Sequence, residues 1–425
     1  MALDVKLEKF FEKILETKAL KKLQRHFQLD LKYFLKNYSY LTSAQMASLA
    51  IGILMSVAFA RLLPKETYGQ YNYILSVIGI LAIFALPGMG TAISRAAARG
   101  HDGTLVRGVK EKFKWSILGS VGLIGVGGYY FLSGSILLGR CFVIASLLFP
   151  VFENFQAYNA FLSGKKSFGR RAKYQITVQI FSVLATFLAL YFTRNLLIII
   201  TVSLASTSLL RGYFLRMTLK NMENQSDEPG AVSFGRHMTL VGIPGTITSY
   251  ADQIIIGAFL SFPELATYTI AKGFMNRIKA LLDPIPTLTF PKLAEIGERE
   301  AFAEVKKRFL KLVLLVAVVC GIAAAICPYL ITFLYSQRYA DSGFYAQLLL
   351  AALFFGMPVA VINKALLSSQ RKIKEIYKLE VFHMVVEMVF LMPLIFKFGL
   401  LGVVLAKVAS NLLVMLYSWR LARLV

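Results

Sequence analysis

Apolar residues run in stretches long enough to cross a bilayer near residues 39–61, 72–93, 115–133, 141–162, 174–193 and 195–214. The second half repeats the count, near residues 239–261, 265–290, 309–335, 344–367, 378–396 and 399–419. An α-helix rises about 1.5 Å per residue, so about 20 such residues cover the hydrocarbon core. Twelve transmembrane helices are therefore predicted. The eighth is the weakest, because Lys272, Arg277 and Lys279 interrupt it. Ahead of the first span, Leu7, Phe10, Phe11, Ile14 and Leu15 recur at helical spacing, and Leu20, Leu23, Phe27, Leu31 and Phe34 continue the stripe. With lysines on the other face, residues 1–38 predict an amphipathic arm lying in the cytoplasmic membrane interface. Residues 221–237 are polar and turn-rich, and they read as a linker dividing 39–220 from 238–425.

Composition agrees with this pattern: 57% of the 425 residues are apolar and 16% charged. Disorder, collagen-like repeats and disulfide scaffolds are excluded. Lys and Arg number 47 against 23 Asp and Glu, a net charge of +24 that in a soluble protein would suggest nucleic acid. Its distribution says otherwise. With the N-terminus inside, the inside connections hold thirty-six basic residues and the outside connections six. Basic residues are retained in cytoplasmic loops, so both termini are predicted to be cytoplasmic and the charge to face anionic lipid rather than nucleic acid. The expected location is the cytoplasmic membrane of a bacterium or archaeon. Cys141, Cys320 and Cys327 fall in apolar runs and read as core residues, and the N-terminus shows no cleavable signal.

The halves share a repeat. Tyr71, Pro87 and Arg95 recur as Tyr268, Pro284 and Lys292, each 197 residues later. Six spans before each copy give the halves one orientation, related by an axis along the membrane normal, with a central cavity expected between two lobes. The Pro and Gly residues late in spans two and eight mark broken helix ends. Arg95 and Lys292 close those ends, as gate residues or as plain positive-inside anchors.

No phosphate-binding loop, HExxH or GxSxG motif is present and the external connections are short, so neither an enzyme nor a resident cofactor is expected. Charge inside the spans is the candidate chemistry, since ionisable residues at membrane depth are costly and tend to face cavities. Lys272, Asn276, Lys279 and Asp283 share one face of the eighth span, with Arg277 about 100° away. This stripe suits an anion such as a phosphate or pyrophosphate, held by charge-assisted hydrogen bonds. The alternative is a shielded helix whose lysines reach the interface. Asp252 in the seventh span pairs with Lys272 or Arg277, either as a structural bond or as the carrier of a coupling proton or Na⁺. Glu380, His383 and Glu387 form a stripe on span eleven, Lys407 and Asn411 another on span twelve, and a Glu387–Lys407 ion pair is expected. Glu153, Asn154, Gln156 and Asn159, with Gln175 and Gln179, form the polar set of the first half.

Four segments carry a family resemblance: FARLLPKETYGQYNYI after span one, LPGMGTAISR ending span two, SFPELATYTIA entering span eight and TFPKLAEIGE ending it. In their order and spacing, they and the twelve spans resemble the Wzx-type oligosaccharide flippases of the multidrug/oligosaccharidyl-lipid/polysaccharide exporter superfamily. The resemblance covers nearly all of the chain after residue 39. It implies a MATE-like, all-α membrane protein whose two lobes alternate between inward and outward openings. The implied cargo is a polyprenyl-pyrophosphate-linked oligosaccharide, with Lys272, Asn276, Arg277 and Lys279 on the headgroup and Asp252, Glu153, Glu387 and Lys407 in coupling or ion pairs. The implied partners are membrane lipids, the lipid-linked substrate, and a polysaccharide polymerase or glycosyltransferases. The second-half turn departs from the family pattern, with Ala266 and Thr267 in the usual Gly region. The competing reading is an H⁺- or Na⁺-coupled multidrug exporter of the same superfamily, whose cationic cargo favours an acidic cavity.

Overall fold

A computed structural model describes residues 31–370 and 372–423, without the side chains of 31–44, 287, 288, 291 and 292. The amphipathic arm therefore lies outside the described residues except for 31–38, which are helical. Among the described residues there is no β-strand. The first half consists of α1 (Leu31–Leu62), α2 (Lys65–Leu81), α3 (Met89–Ala98), α4 (Thr104–Leu132), α5 (Ile136–Asn154), α6 (Tyr158–Gly164), α7 (Phe168–Thr193) and α8 (Leu196–Lys220). A 3-10 turn, Ala82–Ala85, separates α2 from α3, and another, Phe155–Ala157, separates α5 from α6. The second half consists of α9 (Ala231–Phe259), α10 (Phe262–Leu282), α11 (Pro284–Ala294), α12 (Glu298–Tyr335), α13 (Asp341–Val361) and α14 (Ile373–Arg423). A π-helical turn, Ile362–Leu367, extends α13.

These elements make twelve passes. Among the described residues, nine helical stretches are long and apolar enough to cross a membrane, and the longest of them, Ile373–Arg423, is two passes joined at Gly399 (φ 57°, ψ −134°). Only glycine takes such a conformation without strain. The fold-back is tight, because a Cβ on Gly402 would collide with the Leu394 carbonyl. The other two passes, α9 and the α10–α11 pair, are missing from the nine because they carry Asp252, Gln253, Lys272, Asn276, Arg277 and Lys279. The membrane passes with the weakest hydropathic signal are those with the most internal chemistry.

The sequence repeat is a structural repeat. Lys65 opens α2 and Phe262 opens α10, 197 residues apart, and both helices break at a proline. Proline disfavours helical geometry in the residue before it. Leu86 accordingly turns left-handed (φ 50°) ahead of Pro87, freeing carbonyls that the buried ammonium of Lys112 satisfies, 2.7 Å from the Ala85 oxygen and 3.4 Å from that of Leu86. The break at Pro284 is milder, with Asp283 still near helical (φ −57°).

The halves meet where α2 lies against α9 and α10. Close approach requires glycine: a Cβ on Gly69 would overlap the Phe262 carbonyl, one on Gly79 the Tyr250 ring, and one on Gly257 the Tyr73 ring. At the end of the bundle away from the linker, two arginines cap each other's helices. Arg61 donates to the Leu334 and Phe333 carbonyls at 2.8 and 2.6 Å, and Arg338 donates to the Leu63 carbonyl at 3.2 Å. These carbonyls are the orphaned acceptors of helix C-termini, where positive charge is stabilising.

The linker is shorter than its polar sequence suggests. Of residues 221–237, only 221–230 are non-helical, because Gly230 (φ 77°) starts α9 and Val232 and Phe234 pack on the core of the first half. The linker is fastened to that half as well. Lys165 bridges Asp102 and Glu223 at 2.8 and 2.9 Å, Arg99 reaches Glu228 at 2.6 Å, and Gly103 donates to the Ser226 carbonyl at 2.8 Å. The Asp102 carboxylate holds the Lys165 ammonium above its ordinary range. The three cysteines are buried and free.

Gly69→Ala is expected to cost about 1–3 kcal/mol through overpacking of the seam. Gly52→Ala, whose Cβ meets nothing within 4 Å, is the control and is expected to leave the melting temperature unchanged or slightly raised. Equal melting temperatures for the two variants in detergent would refute the close approach.

Candidate functional site

Four membrane passes bring four charges together. Asp252 of α9 is fully buried, and its carboxylate accepts the Tyr268 hydroxyl at 2.6 Å and the Lys272 ammonium at 2.8 Å on each oxygen. Tyr268 and Lys272 are one turn apart on α10, so a single helix face presents both donors. Lys272 also donates to the Ser249 carbonyl at 2.9 Å. Lys407 approaches from the far arm of α14, 2.6 Å from the buried Glu387 and 3.3 Å from Asp252. Glu387 lies on the near arm of the same helix, so the turn at Gly399 makes this pair possible. His383 stands 3.5 Å from the other Glu387 oxygen. Two carboxylates and two ammonium groups leave the cluster neutral. In a low-dielectric interior that balance is required, because an unpaired buried charge costs several kcal/mol.

Beside this cluster opens a cavity of about 530 Å³. Its lining residues all belong to the second half. It borders the α2 seam all the same: Gln253 lines the cavity and accepts the Ser76 hydroxyl of α2 at 3.0 Å. Lys272 and Lys407 of the cluster both line it. Lys279 and Asn276, both exposed, come from α10 below them. Opposite, the π-turn contributes Asn363 and Lys364, and Asn363 donates to Glu380 at 2.6 Å. A π-turn widens the helix by one residue and redirects the side chains within it. Asn411 completes a lining rich in amide groups.

The remaining predicted residues fall elsewhere. Arg277 leaves the stripe, as its offset implies, and donates to the Tyr335 hydroxyl and Ser56 hydroxyl at 2.9 Å each, fastening α10 to α12 and α1. Asp252 consequently pairs with Lys272 and Lys407, not with Arg277. Glu153 is in the first half, where it accepts from Gln156 at 3.1 Å, apart from the Asp252 cluster. Arg95 is 3.3 Å from Glu228 of the linker, with its guanidinium 4.8 Å above the Phe234 ring. The Lys292 side chain lies outside the described residues. Lys364 was not singled out by the sequence reading. Its signal was an Asn-Lys pair inside the otherwise uncharged run 344–367. Among the described residues no three His, Cys, Asp or Glu side chains converge as metal ligands.

Lys407→Met is expected to lower stability by about 3–5 kcal/mol, because Glu387 is left buried and unpaired. The double variant Lys407→Met/Glu387→Met is expected to recover most of that loss. Thermal unfolding of the purified variants measures both, and additive losses would show that the two groups do not interact.

Comparison with known proteins places this geometry. No curated protein matches the sequence. Among solved structures, the fold is similar to an inward-facing multidrug resistance MATE family transporter of the MOP superfamily. The two share 13% identity over 91% of this chain and 97% of that one, with a TM-score of 0.69. It is similar also to the lipid II flippase MurJ in an inward closed conformation, at 14% identity over 89% and 86% of the two chains, TM-score 0.67. A third is a MOP superfamily transporter from Pyrococcus furiosus, described by a binding pocket of reverse polarity that suggests a different function, at 14% identity over 92% and 95%, TM-score 0.61. At these identities the likeness concerns the fold alone. The family model for polysaccharide biosynthesis proteins matches residues 34–297, more than half of the chain. The chain is a multi-pass membrane protein with a MATE-like fold, and it belongs to the polysaccharide biosynthesis protein family.

Proposed function

We propose that the protein is a flippase that moves a polyprenyl-(pyro)phosphate-linked oligosaccharide across the cytoplasmic membrane by alternating access. The observation that carries this reading is the charge left over in the cavity. Asp252 and Glu387 neutralise Lys272 and Lys407, while Lys279 and Lys364 share Glu380 as the one carboxylate among the described residues lining the cavity. A cavity with a surplus positive charge suits a phosphorylated headgroup, and it disfavours the organic cations of a multidrug exporter. The amides of Asn276, Asn363 and Asn411 supply donors and acceptors for phosphate or sugar. Family membership and the lipid II flippase among its structural neighbours support the same cargo class.

In this mechanism Lys279 and Lys364 hold the headgroup, and the prenyl chain stays in lipid. Lys272 is the exchangeable cation. It sits between Asp252 and the cavity, so a headgroup and the carboxylate compete for it. A proton or Na⁺ taken up by Asp252 would release Lys272 to the cargo, which couples an ion to translocation without a metal cluster. Arg277 acts from outside the cavity, fixing α10. The basic linker end, where Arg95 and Lys292 stand as gate residues, faces the cytoplasm, where glycosyltransferases assemble the cargo.

Reconstitution with a fluorescent lipid-linked oligosaccharide tests the reading. Lys279→Ala/Lys364→Ala is expected to reduce translocation at least about tenfold, since each charge-assisted hydrogen bond contributes ~1.5–3 kcal/mol. Wild-type rates in the folded variant would overturn the assignment, and transport of organic cations in its place would favour the multidrug exporter. Asp252→Asn and Glu387→Gln are expected to change the dependence of translocation on an imposed H⁺ or Na⁺ gradient. An unchanged dependence makes both carboxylates purely structural.

A further inference from the structure

A second cavity, of about 880 Å³, lies outside the site described above, between α11, the start of α12 and the end of α13. We infer that this groove binds one anionic phospholipid of the leaflet on the linker side, with the phosphate on Lys307 and Lys311 and an acyl chain along the apolar wall.

Three observations carry the inference. First, the groove is amphipathic: Ile285 and Leu293 of α11, Val305 and Leu312 of α12 and Val361 of α13 form an apolar wall, and Lys307, Arg308 and Lys311, with the single carboxylate Glu304, form its rim. Second, the rim carries cations without partners. Arg308 is paired with Glu304 at 2.7 Å, whereas Lys307 and Lys311 are exposed and form no ion pair among the described residues. Third, the groove lies at the depth where a headgroup belongs. The last charged residue of α12 is Lys311, and no charge follows from Leu312 to Tyr335, so the rim marks the boundary of the hydrocarbon. Leu314 and Leu315, next along the helix, are at least half exposed and face the lipid. A basic patch beside a lipid-exposed apolar wall selects an amphiphile with a negative head over a neutral one. The groove shares no lining residue with the Asp252 cavity, so the inference does not depend on the flippase reading.

Native mass spectrometry of the full chain, titrated with phosphatidylglycerol or phosphatidylcholine, is the test. Phosphatidylglycerol is expected to bind at least about tenfold more tightly, because each of the two lysines near the headgroup contributes roughly fivefold. Lys307→Ala/Lys311→Ala is expected to abolish that preference, Lys307→Arg/Lys311→Arg to retain it, and Lys110→Ala, in a basic cleft of the first half, to leave it unchanged. Equal binding of the two phospholipids, or a preference that survives the double alanine variant, overturns the inference. So does a Lys307/Lys311-dependent site that takes undecaprenyl pyrophosphate but not phosphatidylglycerol, because the groove would then be an entrance for cargo.

Discussion

Charge buried in a membrane protein must be answered within the protein, and the arrangement of the second half follows from that requirement. Asp252 and Glu387 are fully buried, and each has an ammonium group within 2.8 Å. To satisfy both, α9, α10 and the two arms of α14 must converge on one point, and Lys407 must reach between the carboxylates. The cluster therefore acts as a keystone. Its neutrality explains how such polar helices remain in the bilayer at all, at a cost that only good geometry offsets.

The same logic applies to the irregular backbone. Non-helical segments at membrane depth are tolerated where other groups answer their polar atoms. The left-handed turn at Leu86 is answered by Lys112, and the π-turn of residues 362–367 carries an amide that bonds Glu380. Each break thus places a polar group at a wall or a cavity. Regular helix is kept for the lipid-facing surface, where the large exposed apolar side chains such as Leu132, Phe192 and Phe333 are found.

Between the halves, contact depends on the absence of side chains. Gly69, Gly79 and Gly257 let α2 lie against α9 and α10, and the paired arginines at positions 61 and 338 fasten the end far from the linker. The linker itself is bound to the first half through Asp102, Glu223 and Glu228. That binding continues into the first turns of α9, where Arg236 pairs with Glu111 and the Gly88 N–H donates to the Thr239 hydroxyl at 3.1 Å, so the linker is no loose tether.

Hydropathy and loop charge alone determined the twelve passes, because covering a bilayer takes a fixed length of apolar residues whatever their neighbours. The 197-residue repeat was equally legible, since matched prolines break matched helices. Helical spacing separated Arg277 from the face of Lys272 and Lys279, and the structure keeps that separation. What spacing could not supply was the partner of each charge. Asp252 had two candidate cations on α10, and the choice of Lys272, with Lys407 added from 155 residues away, depended on how the helices cross. Lys364 lines the cavity from a π-turn, and every lining residue of that cavity comes from the second half. Pairing across helices is decided by packing, and packing depends on contacts that a linear pattern does not contain.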